Sequence, residues 1–171
     1  MPKVAGEPSQ TVNISAAASI QVNRDKSIEA GKLVRAADQV LAQQADTLQS
    51  MNDNLQAIVK QYPPFRTDDP ARAQYLESFS GLRKQMEALQ VPKLDSGQDV
   101  LPKEIRFPTE HQGLGIPNLD PASASDAQVA AASRQVEAAI AKVSDQREAL
   151  ASGVSQVLGG TGYTDLLKQL G

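Results

Sequence analysis

Few residues in this sequence have the types and spacing that chemistry needs. Of 171 residues one is a histidine, His111, and it follows Glu110 in a proline-rich stretch. An imidazole beside a carboxylate is the beginning of an acid–base pair, and histidine is a common metal ligand. Either role needs further ligands or an orienting partner, and the chain has no cysteine to contribute. Gly159, Gly160, Thr161 and Gly162 resemble a phosphate-cradling loop in glycine content alone. They follow a helical pattern instead of a strand, and no lysine precedes a Ser or Thr there, so the P-loop mechanics are missing. Gly113, Leu114 and Gly115 lack the third glycine and following helix of a dinucleotide fingerprint. Asp68 and Asp69 read as turn and helix cap, since the spacing of an EF-hand is absent. No catalytic, cofactor or metal site is assigned, and the expectation is a non-enzymatic protein.

What the sequence does carry is helix-packing spacing. Val34, Ala37, Leu41, Gln44, Leu48, Met51, Leu55, Ile58 and Tyr62 recur at alternating steps of three and four across residues 27–62. That spacing keeps one apolar line toward a partner helix, the coiled-coil condition. Ser27 is a plausible cap, Glu29 suits the first turn, and the helix is roughly 54 Å long. Leu33 and Val40 widen the apolar face of its first half. Gln44 is the one polar member of the line. At a core position it would fix register and partner number at some cost in stability; alternatively the helix turns it toward solvent.

Pro63 and Pro64 stop this helix, and Asp69 followed by Pro70 starts the next. Over residues 70–90 a second seam runs through Tyr75, Phe79, Leu82, Met86 and Leu89. A short turn between two seamed helices predicts an antiparallel hairpin. Tyr62, Phe65, Tyr75 and Phe79 gather about that turn, either as its small core or as an aromatic pocket. Gly81 inside the second helix suggests a close contact or a bend. At roughly 31 Å this helix covers only the C-terminal half of the first.

The third helix is marked by Ser125 and Gln128 in capping-box spacing, with Asp120 and Pro121 as an earlier possible start. Val129, Val136, Val143, Leu150 and Val157 then recur every seven residues, with Ile140 and Val154 completing the stripe and Ala132 and Ala139 beside it. Thr164 can cap a short amphipathic turn carrying Leu166, Leu167 and Leu170. The hairpin-to-helix connector at 92–120 is rich in Pro and Gly, and Glu104, Ile105, Arg106 and Phe107 could form one short strand within it. Ahead of the helices, Val12, Ile14, Ala16, Ala18, Ile20 and Val22 occupy every even position of residues 11–23. This is the period of a half-buried strand, so Val12, Ile14, Ile20 and Val22 are candidates for a β-arm. The other reading is a disordered Ala/Ser-rich arm.

The expected fold is therefore all-α: a long antiparallel helical hairpin at 27–91 plus, at 121–171, a third long helix and a short C-terminal helix, as a three-helix bundle or coiled coil. An extended arm at 1–26 and the irregular connector at 92–120 accompany it. Aromatic residues are 4% of the chain and tryptophan is absent, so the core rests on Leu, Val, Ile and Ala. Net charge is −3 with Lys and Arg scattered, which does not fit a nucleic-acid binder. No run approaches the ~20 apolar residues of a membrane span, and the first residues lack a secretory h-region. The protein is expected in the cytoplasm by default, or exported by a route without a cleavable signal. Such a chain is expected to be a structural or assembly protein that associates with copies of itself, for example as the subunit of a filament or surface structure. The alternative is a monomeric adaptor or chaperone that holds a partner's helix or peptide along the face at 33–41.

Overall fold

The computed structural model describes residues 9–89 and 114–158. They form three helices, α1 (Ser9–Val59), α2 (Pro70–Ala88) and α3 (Asp126–Leu158), and no strand occurs among the described residues. The fold is all-α.

α1 begins well before the heptad seam, just past Pro8, and its backbone is helical through the whole of residues 11–23. The extended arm at 1–26, with Val12, Ile14, Ile20 and Val22 as a β-face, is thus replaced by helix from Ser9 on. The physical reason lies in the backbone. A lone strand would leave its N–H and C=O groups without partners, whereas a helix satisfies them within itself. Nothing from Ser9 to Ala30 is proline or glycine, and Ala16, Ala17 and Ala18 are strong helix formers that fit either period. Ser27 is consequently an interior helical residue and not a cap.

The helix ends at Val59, ahead of the two prolines, with Lys60 N–H donating to the Gln56 carbonyl at 2.9 Å. Asp69 caps α2, its carboxylate accepting from the Ala71 N–H at 2.8 Å with Pro70 in the first turn. At the far end, the Leu89 N–H donates to the carbonyls of Gln85 and Met86.

Residues 114–125 form an extended strap that runs back along α2. Arg83 Nε donates to the Ile116 carbonyl at 3.2 Å, and Ser80 Oγ donates to the Leu119 carbonyl at 3.3 Å. Leu119 and Ala124 are buried in the common core, with Leu114 and Ile116 packed against it. Gly115 has φ of 72°, and a Cβ there would lie 3.3 Å from Oε1 of Gln135 on α3. Glycine is therefore required where the strap passes between α2 and α3. Asp120 closes its own turn by accepting from the Ala122 N–H at 2.8 Å. The helix proper starts after the capping box: Ser125 N–H donates to Gln128 Oε1 at 2.9 Å, and Gln128 N–H donates to Ser125 Oγ at 3.2 Å.

The direction of α3, which spacing alone leaves open, is fixed by two cross-helix bonds. The Gln56 amide donates to Ser133 Oγ at 2.9 Å, and Arg147 Nε meets Asp38 Oδ1 at 3.1 Å. As one helix ascends in number the other descends, so α3 is antiparallel to α1. Both α2 and α3 pack against α1, and they share no helix-to-helix packing with each other. The strap occupies the space between them. The proposed strand at 104–107 and the short C-terminal helix lie outside the described residues.

Gly81 does not mark a close contact: a Cβ there would meet no atom within 4 Å. Gly81→Ala is accordingly expected to stabilise the protein by about 0.5–1 kcal/mol, read from the shift in urea midpoint.

Candidate functional site

The surface that organises the molecule is the seam of α1. Ala30, Ala37, Leu41, Gln44, Leu48, Met51, Leu55 and Ile58 are buried, with Val34 and Val40 partly buried against the same core and Leu33 half-buried. On α3, Val129, Ala132, Val136, Ala139, Val143 and Leu150 are buried at steps that keep the heptad, and Gly153 is buried at the next such position. Ile140 and Val154, the larger residues, are only half-buried beside the seam. The small side chains of Ala132 and Ala139 take the inner positions, where they let two helix backbones approach closely. On α2 the buried line is Arg72, Leu76, Phe79 and Met86, with Tyr75, Leu82 and Leu89 on its flank. Leu76 and Arg72 escape a reading that follows aromatic residues; the signal for them is the heptad counted back from Phe79 and Met86.

Gln44 is 2% exposed and sits in the seam itself, not turned to solvent. Its Nε2 has no hydrogen-bond partner. A buried donor without a partner keeps its desolvation cost, which is about 1–3 kcal/mol. Arg72 is the more unusual case. Its side chain is fully buried, Nη2 donates to Asp126 Oδ1 at 3.0 Å, and Nε and Nη1 are unpartnered. Asp126 is itself largely exposed, at 72%. The pair joins the first turn of α2 to the first turn of α3, so it fixes the two helix starts against one another.

The hairpin tip divides its aromatic residues. Phe79 is buried, and Phe65 stacks in a tilted arrangement on Tyr75 with ring centroids 6.3 Å apart. Tyr62, by contrast, does not extend the seam or join that core: it is 92% exposed, and Val59 beside it is 51% exposed. The reason is that α1 has ended by then and the two prolines carry the chain away. Pro63 and Pro64 are exposed as well. Arg66 and Asp68 pair with each other at 3.2 Å, and Asp69 is taken up by its cap.

At the opposite end of the paired region a cavity of about 410 Å³ opens beside α1, lined among the described residues by Asp25, Ile28, Glu29 and Lys32. Ile28 is half-buried there, and Asp25, Glu29 and Lys32 are exposed.

Among the described residues, no group of three or more His, Cys, Asp or Glu side chains is placed to hold a metal ion. No described helix is long and apolar enough to cross a membrane. His111 and the stretch from Gly159 to Gly162 lie outside the described residues. Comparison with protein-family models, with curated proteins and with solved structures finds no match.

Three substitutions separate the buried polar groups from the packing around them. Gln44→Leu removes the unpartnered amide and keeps the seam filled, so it is expected to raise stability by about 1–2 kcal/mol in chemical denaturation. Arg72→Met should be neutral or stabilising, because it replaces a buried ion by a side chain of similar length, whereas Arg72→Ala should cost several kcal/mol through the void it leaves. Equal losses from both Arg72 variants would mean that the charge itself holds the helix starts together.

Proposed function

We propose that this is a non-enzymatic structural protein that assembles with copies of itself through its long helices, as a subunit of a filament or similar extended assembly. The observation that carries this reading is the exposed apolar surface at the hairpin tip, where Val59 and Tyr62 stand open to solvent. The heptad seams of the helices support the same reading.

The second reading, a monomeric adaptor that takes a partner's helix, is favoured by one observation. Leu33, Val34 and Val40 are only part-buried on the half of α1 that α2 is too short to reach. Sedimentation of the purified protein over a wide concentration range distinguishes the two. Self-assembly requires the mean mass to rise with concentration. A constant monomer mass, with a stoichiometric heterologous helix recovered in complex, would establish the adaptor instead.

A further inference from the structure

We infer that two copies of this protein meet tip to tip, the Tyr62 ring of each packing on Pro63 and Pro64 of the other across a two-fold axis. This inference rests on the self-assembly reading and names its contact. It starts from what the hairpin tip presents. Tyr62 is 92% exposed and Val59 51% exposed, the only large hydrophobic side chains so presented among the described residues. Pro63 and Pro64 are exposed beside them. Every other exposed position among the described residues is polar, charged, glycine or alanine, apart from Pro70 in the same tip. An apolar group gains by association only where it meets another apolar group. Within the described surface, the fully exposed apolar surface that answers one tip is therefore a second tip.

A two-fold contact needs a patch that complements itself, and this one does so in chemistry and in charge. Proline rings dock against aromatic side chains, and the tip carries both partners of that pairing on consecutive residues. The charged residues of 59–70 are Lys60, Arg66, Asp68 and Asp69, two of each sign, and Arg66 already pairs with Asp68 at 3.2 Å. The tip is thus neutral on a chain of net charge −3. It is the place where two copies approach without the repulsion that their like charge imposes elsewhere.

The patch is also held in place before it meets a partner. Pro63 and Pro64 fix their own φ angles, the Gln61 N–H donates to the Ile58 carbonyl at 3.3 Å, and the Phe65–Tyr75 stack anchors the chain beyond. Little backbone freedom is then lost on association. Four side chains cover far less than the about 800 Å² per partner of a standard interface, so the pair is weak and forms at high concentration. Because both copies use the same patch, the contact closes at two, and growth beyond a pair needs a second contact.

The chain has no cysteine, so one introduced thiol reports which surfaces meet. Gln61→Cys places it beside Tyr62, and Glu148→Cys places it at an exposed position on α3 far from the tip. With oxidised glutathione as the oxidant, Gln61→Cys is expected to form disulfide-linked dimers at least about tenfold faster than Glu148→Cys, because a two-fold contact brings position 61 next to itself. Adding Tyr62→Ser to Gln61→Cys should lower that rate to the Glu148→Cys level. Circular dichroism should show unchanged helicity, since Tyr62 is exposed. Sedimentation velocity of the full chain is run alongside, and its mean mass should rise with concentration. Equal cross-linking at positions 61 and 148 while that mass still rises overturns the tip contact and leaves self-assembly standing through another surface. A fast rate at position 61 that Tyr62→Ser does not change overturns the packing of ring on proline. A full chain that is monomeric at every concentration overturns both this inference and the reading beneath it.

Discussion

One constraint governs the molecule: two helices and a strap share a single apolar line on α1. α2 and α3 both run along α1 and meet each other at their starts through the Arg72–Asp126 pair, so neither has a core of its own. Burying Leu41, Leu48, Met51, Leu55 and Ile58 is simultaneously the burial of Phe79 and Leu76 on one side and of Val129, Val136 and Val143 on the other. Each fully buried aliphatic side chain contributes about 1.5–3 kcal/mol relative to exposure. With so few aromatic residues the sum comes from many modest contacts and not from a few large ones. The strap completes the enclosure by inserting Leu119 and Ala124 where the two outer helices leave a gap.

The buried polar groups lie on that same line and not in a separate site. Gln44 stands in the seam where α2 gives out, and Arg72 stands at the foot of α2 against the start of α3. Gln44 has no partner in the native alignment, so it costs stability there without selecting a level. The alignment is marked instead by pairs that meet between helices: Arg72 with Asp126, Gln56 with Ser133, and Asp38 with Arg147.

The sequence made the helical class legible because heptad spacing, capping box and proline stops all agree on it. The α1 seam from Ala37 to Ile58 and the Ser125–Gln128 cap follow from local rules that need no knowledge of the partner. Four features were less accessible. Alternation at residues 11–23 was misleading because alanine and serine satisfy either period, and only the lack of a β-partner decides for helix. Tyr62 kept seam spacing in number after the helix had already ended. Ala132 and Ala139 looked like flanks to larger neighbours, although a close helix pair favours the small residue inside. Arg72 could not be anticipated from type, since arginine is almost never fully buried; only its phase on α2 hints at it.

The shared line also determines how the rod answers to force. A pull along α1 acts on α3 in shear, because the two lie side by side and antiparallel from Ile58 to Ala30. Every layer between them is then loaded at once, and none can yield alone. α2 is held over a shorter stretch and is joined to α1 at one end only, so a pull at Leu89 would strip it from Met86 downward, layer after layer. The same chain is therefore stiff in the direction in which it is long, and compliant along one flank.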